Sequence, residues 1–227
     1  METIAERLKS IQQTVEQSTL DAHRPPNSTK LLAVSKTKPV SDIVQAYEVG
    51  QRLFAENYVQ EGVEKIHALQ KLDDIEWHFI GPLQSNKTRL VAENFDWVHT
   101  IDRLKIANRL SAQVNPEKIL NVCIQINIDE DENKAGIAAN QLQEFASNIA
   151  VLPNLRLRGI MTIPKANQPK SRLNDSFAKM RRLYTQLQAE HSTVDTLSLG
   201  MSADMNCAIN HGSTMVRIGS AIFGSRI

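Results

Sequence analysis

Short apolar runs rich in β-branched residues alternate along this chain with longer stretches whose apolar residues recur every three or four positions. The first pattern fits strands buried on both faces, the second amphipathic helices. Ile4, Leu8, Ile11 and Val15 predict a helix over residues 1–18, and Pro25-Pro26 a loop behind it. KLLAVS, residues 30–35, predicts the first strand. Ser41-Asp42 offers a cap for a helix that ends at Gly50. Further strands are predicted at 52–55, 76–80, 96–99, 118–128, 155–162, 196–199 and 214–218. Helices at 58–72, 85–93, 102–113, 139–151, 170–191 and 204–211 separate them, and a short turn or helix ends the chain.

Strands that alternate with helices imply a parallel sheet, because parallel neighbours need crossover connections. Eight such units in 227 residues match a (β/α)8 barrel, here with an extra helix in front. A doubly wound open sheet is the competing architecture, but no Gly-x-Gly-x-x-Gly follows the first strand. No linker or low-complexity segment breaks the pattern, so residues 1–227 read as one α/β domain.

Charge narrows the range of partners. Lys and Arg number 26 and Asp and Glu 25, a net charge of +1, which argues against a general nucleic-acid or membrane binder. Cys123 lies in an apolar run and reads as a buried, inert thiol; Cys207 sits near a predicted ligand loop. No His/Cys spacing suits a metal. The N-terminus carries acids without a long apolar core, and no apolar run approaches the ~18 residues of a membrane span. A cytoplasmic protein is expected.

A barrel places its chemistry at the C-terminal ends of its strands. Those ends carry Ser35-Lys36, Glu56-Asn57, His78 with Gly81, His99-Thr100, Asn127 with Asp129, Met161-Thr162, the 198–202 segment and the 217–220 segment. Lys36 is the sharpest candidate. A partly desolvated lysine at a barrel mouth has a lowered pKa and a neutral amine able to form a Schiff base. Lys38, two residues on, fits an ordinary surface lysine better. Gly200-Met201-Ser202 and Gly219-Ser220 follow the seventh and eighth strands, where this fold often binds phosphate. On periodicity alone Arg217 points inward or outward equally well. Asn57 could bond a ring substituent, and Met201 could floor a ring pocket. His78 could line the pocket or sit satisfied in the core. Asn86 and Lys87 fit simple helix capping, and Lys134 a solvated loop.

The segments AVSKTKP, FAENYVQE, HFIGPLQSNK, GIMTIP, LSLGMSADM and GSTMVRIGSAIFG together resemble the pyridoxal phosphate homeostasis proteins, the YggS/PROSC-type family, over essentially the whole chain. The resemblance implies a single barrel like the N-terminal domain of alanine racemase, binding pyridoxal 5′-phosphate through an internal aldimine. It makes Lys36 the Schiff-base lysine, and Ser202, Gly219 and Ser220 the phosphate loops. Arg217 would stand beside the pyridine nitrogen, and Asn57, Met201 and His78 around the ring. Ala135, Ala203 and Ser220 stand where the family commonly has serine, asparagine or aspartate, and threonine. It further implies control of the free cofactor pool without established turnover, and apo-enzymes that need the cofactor as candidate partners.

Two other functions compete with that one. An amino-acid racemase would need a second base, and Tyr47, Tyr58 and Tyr184 offer none in a C-terminal domain. An aldolase would use Lys36 directly on a sugar phosphate. With the chain ending after the barrel, the racemase dimer interface is expected to be missing, which predicts a monomer.

Overall fold

The computed structural model describes residues 2–224. Its eight strands are β1 (Lys30–Val34), β2 (Leu53–Glu56), β3 (Glu76–Phe79), β4 (Trp97–Ile101), β5 (Leu120–Gln125), β6 (Leu155–Met161), β7 (Thr196–Ser198) and β8 (Met215–Ile218). All pair in parallel, in chain order, and β8 closes on β1 to complete a barrel. The open-sheet alternative is thereby excluded. Helices α1 (Ile4–Asp21), α2 (Val40–Glu48), α3 (Val59–Ala68), α4 (Thr88–Asn94), α5 (Leu104–Gln113), α6 (Leu142–Ala150), α7 (Lys170–Glu190), α8 (Met205–Asn210) and α9 (Ser220–Phe223) surround it. Among the described residues no helix is long and apolar enough to cross a membrane.

The short strands are apolar on both faces because each face meets a different core. Ala33, Phe54, Phe79, Val98 and Val216 point outward and join the large cluster under the helices. Leu32, Val34, Ala55 and Met215 form a separate cluster inside the barrel, and Trp97, Cys123 and Met161 another. Cys123 is fully buried, and burial pushes its thiol pKa far up, as an inert thiol requires. At Gly159 a Cβ would lie 1.7 Å from the carbonyl oxygen of Thr196, so β6 and β7 approach closely only because this residue has none.

Helix α1 begins at a capping box, with Thr3 and Glu6 each satisfying the other's backbone N–H. It packs on α8, α9 and α2, over the seam where the last strand meets the first. Its Arg7 donates to the Ile222 carbonyl at 2.6 Å, and Arg24, just beyond it, to the Ser213 carbonyl at 2.6 Å, tying the added helix to the segments on either side of β8.

Two expectations shift. Helix α2 starts one residue before Ser41, with Pro39 at the N-cap in extended conformation and no side-chain cap. A proline cannot continue a hydrogen-bonded turn backwards, so it marks the start without a polar cap. The long apolar run at 118–128 is a strand only to Gln125. Ile126 makes a single bridge to Ile137, and the Asn127 side chain then bonds the backbone of Asp131, folding a loop. Ile126 and Ile128 are apolar because they are buried beneath that loop, not because they extend the ladder.

The rest of the barrel interior is polar and hydrogen-bonded. His78 Nε2 lies 2.9 Å from Glu76 Oε1, His78 Nδ1 lies 2.9 Å from His99 Nε2, and His99 Nδ1 lies 3.2 Å from Ser198 Oγ. Both rings are fully buried. Burial holds both imidazoles below their ordinary pKa; Glu76 opposes this at His78, while His78 and Arg217 reinforce it at His99. With both neutral, the donors run one way. Ser198 donates to His99, His99 to His78, and His78 to the Glu76 carboxylate, which fixes both tautomers.

The folded protein therefore disfavours charging either imidazole, while the unfolded chain protonates both below about pH 6.5. Stability is full above that pH and falls as the pH drops below it, by up to about 1.4 kcal/mol per pH unit for each histidine. At about pH 5.5 the side-chain NMR signals of His99 are expected to keep the neutral pattern while the urea midpoint has fallen. Imidazolium signals from His99 in the folded protein at that pH would show the neutral assignment to be wrong.

Candidate functional site

A cavity of 530 Å³ opens at the C-terminal end of the barrel. Lys36, Asn57, Met201, Ser202, Arg217, Gly219 and Ser220 all line it. Val34, Ile80, Pro82 and Ile163 supply apolar wall.

Each polar group is brought there by a specific close contact. Lys36 follows β1 in a turn that the Lys38 N–H closes onto the Ser35 carbonyl at 3.0 Å. Thr37 in that turn takes φ 64°, a left-handed value that is costly for a β-branched residue. Asn57 is held by backbone crowding: a Cβ on Gly81 would lie 2.0 Å from the Asn57 carbonyl oxygen. The Gly81 carbonyl is itself fixed by the Thr100 hydroxyl at 2.7 Å.

The loop after β7 turns inward at Gly200, with φ 92° and the Ala208 side chain filling the space a Cβ would need. The Asp204 carboxylate then accepts the Met201 N–H at 2.5 Å, closing the turn that presents Ser202. On the other side, a Cβ at Gly219 would stand 3.1 Å from the Val34 carbonyl, so the last loop lies against the first strand.

Arg217 points inward and is buried, which settles what periodicity left open. Its Nη1 donates to the Ser198 carbonyl and to Ser198 Oγ, each at 2.8 Å, and its Nη2 to the Thr162 carbonyl at 2.9 Å. Burial lowers its pKa to about 10, which leaves it charged at neutral pH. Those three bonds use both Nη1 hydrogens and one of the two on Nη2. Through Ser198 the guanidinium also heads the interior chain that ends at Glu76.

His78 corrects one expectation. It lies inside the barrel but one layer down, with both ring nitrogens engaged by Glu76 and His99, and it does not line the cavity. On a strand the next residue on the same face is two positions later, and Ile80, just past the end of β3, reaches the mouth. Lys38, which read as a surface lysine, does line the cavity. Thr37, Ile80 and Ile163 were missed because turns and apolar loop residues carry no chemical signature in sequence. A second cleft, between residues 128–131 and α7, is lined by acidic and basic residues. Its Asp129 is already engaged by the Lys165 N–H and the Ser176 hydroxyl. Among the described residues no group of His, Cys, Asp and Glu could hold a metal ion.

The family model for the alanine racemase N-terminal domain matches residues 7–227. A pyridoxal phosphate homeostasis protein of Pasteurella multocida is 54% identical, over 99% of this chain and 98% of that protein. Its Escherichia coli counterpart is 52% identical, over 100% of this chain and 98% of that protein. Among solved structures, PipY of Synechococcus elongatus with PLP bound superimposes with a TM-score of 0.82 at 34% identity, covering 98% of this chain and 100% of that one. Its PLP-free form gives 0.87 at 35%, over 98% and 100%. Alanine racemase of Corynebacterium glutamicum shares the fold, with a TM-score of 0.70 at 14% identity, covering 97% of this chain and 61% of that one. The chain thus belongs to the pyridoxal phosphate homeostasis proteins, a family built on the alanine racemase N-terminal domain.

Proposed function

We propose that this protein holds pyridoxal 5′-phosphate at the barrel mouth, attached at Lys36, and controls the cofactor's availability instead of turning over a substrate. The observation that carries the proposal is the convergence of the Lys36 amine, one buried arginine and two serine hydroxyls on a single cavity. The donor set fits the group. The volume lies in the range of small-molecule sites, and its walls are partly apolar, as a planar ring requires. Ser202, Gly219 and Ser220 supply hydroxyls and an uncluttered backbone for the phosphate. The curated relatives bear the name of a homeostasis protein, and a solved relative has PLP bound.

Bound pyridoxal phosphate supplies an aldehyde that condenses with amines and a ring that withdraws electrons most strongly when its nitrogen is protonated. Arg217 decides how much of that second property is used. A guanidinium donates and cannot accept, so a ring nitrogen facing Arg217 offers its lone pair and stays unprotonated. Its bonds to Ser198 and Thr162 hold that donor in place.

The titratable groups among the described cavity residues are lysine and arginine: no carboxylate, imidazole or phenol lines it. Tyr47 bonds Asp74, Tyr184 is buried on α7, and Tyr58 is exposed outside the cavity lining. A racemase needs a second acid/base across the substrate, and these residues provide none. On the same proposal the chain works as a cytoplasmic monomer whose cofactor passes to apo-enzymes; its near-zero net charge is in keeping with that setting.

Borohydride reduction of the loaded protein followed by peptide mapping tests the attachment. The pyridoxyl adduct is expected on Lys36, and Lys36→Ala should abolish both adduct and visible band with the apoprotein melting point unchanged within a few degrees. An adduct that persists on another lysine in Lys36→Ala would overturn the assignment. Arg217→Glu is expected to raise the pH midpoint of the visible band, since an acid there favours a protonated ring; an unchanged midpoint would place Arg217 away from the nitrogen. Incubated with single amino-acid enantiomers, the loaded protein should racemise them no faster than free pyridoxal phosphate, and a clear excess would favour the enzyme.

A further inference from the structure

Lys36 sits between two residues that answer to one buried ammonium on a different element. Lys65, on α3, is only 5% exposed, and its Nζ donates to the Ser35 carbonyl at 2.8 Å, to Glu56 Oε1 at 2.9 Å and to Glu61 Oε1 at 2.6 Å. The Ser35 hydroxyl adds a 2.6 Å bond to the same Glu56 oxygen. On the far side of Lys36, the Thr37 N–H donates to that same Glu61 oxygen at 2.5 Å. The backbone is therefore gripped immediately before and immediately after the lysine, by one interlocked group of charges.

That grip has a strained segment to hold. Thr37 adopts φ 64°, and a non-glycine residue keeps such a conformation only when its surroundings over-determine it. A charged acceptor on its N–H is the kind of strong bond that can do so. The packing makes room for the device. A Cβ on Gly62 would lie 2.5 Å from the Phe95 ring and 3.1 Å from Glu56 Cβ, so α3 lies close enough to β2 for Lys65 to reach Glu56. Glu56 is fully buried, takes the bonds from Ser35 and Lys65 on Oε1 and is not among the residues lining the cavity.

We propose that Glu56, Glu61 and Lys65 are positioning residues for Lys36, fixing the strained turn that aims its amine into the cavity. Glu61 is the direct clamp on the turn. Lys65 joins that clamp to the end of β1, and Glu56 neutralises Lys65 from beneath. The inference rests on Lys36 being the attachment point of pyridoxal phosphate.

The test compares two ligands that differ only at the reacting carbon. Pyridoxal 5′-phosphate can use the lysine; pyridoxine 5′-phosphate has the same ring and phosphate with an alcohol in place of the aldehyde. Glu61 is the residue to change, since it is partly exposed and its loss strands no buried charge. Glu61→Ala is expected to weaken pyridoxal phosphate at least tenfold and pyridoxine phosphate less than twofold. Glu61→Gln should recover most of the aldehyde affinity, because its amide oxygen still accepts the Thr37 N–H. Equal losses for both ligands, or no loss for either, would overturn the proposal. Lys36→Ala, run beside them, separates the two ideas: if it leaves the preference for the aldehyde intact, the attachment at Lys36 fails. Should Glu61→Ala not fold, hydrogen exchange on the unmodified protein decides. The Thr37 amide is expected to be protected at least a hundredfold, and an unprotected amide would overturn the clamp.

Discussion

Everything at the mouth of this molecule depends on the pairing that closes the sheet. Strand β8 lies beside β1 with Leu32 opposite Arg217 and Ala33 opposite Ile218. Residues 36 and 217 are 181 positions apart in the chain, yet this register sets their strands edge to edge. A slip of one residue would turn Arg217 out toward the helices, because neighbouring positions face opposite sides of a strand. Helix α1 covers the same seam and is joined by hydrogen bonds near Arg7 and Arg24 to the segments flanking β8, so the added helix protects the junction of the first and last strands.

The barrel interior resolves a second constraint. A guanidinium buried behind the cavity costs free energy unless its donors are satisfied. Ser198 and Thr162 satisfy three of them. The serine in turn needs an acceptor for its own proton, His99 provides it, and the chain passes through His78 to a carboxylate at the start of β3. Every member has one partner on each side, and the order of donors allows one arrangement of protons. Such a column is rigid and specific, and it holds the arginine still from behind while the cavity face stays open. It also explains why two histidines that look functional in the sequence take no place in the pocket.

The clamp around Lys36 works by similar means on the neighbouring side. Strain at Thr37 is offset by charge-assisted hydrogen bonds from α3. On the proposed function, the two devices would serve opposite ends of the cofactor's ring system. One keeps a donor in place, and the other keeps an amine in place.

The alternation of strands and helices, the count of eight and the added helix could all be read in the sequence, because apolar periodicity is a local property of the chain. So could Lys36, Asn57, Met201, Ser202, Arg217, Gly219 and Ser220 as residues at strand ends, since the architecture gathers those ends at one face. The depth of each side chain could not. His78 stands out as a strand-end candidate and Ile80 does not, and only the tilt and stagger of the closed sheet put the first below the cavity and the second in its wall. Nor could the orientation of Arg217, which hangs on the β1–β8 register. Lys65 was invisible for the same reason. A lysine in a polar helix reads as solvated, and it becomes a buried partner of Glu56 and Glu61 only when Gly62 lets α3 settle against β2. Elements follow from neighbours in the chain; depth, facing and charge pairing follow from neighbours in space, which folding alone brings together.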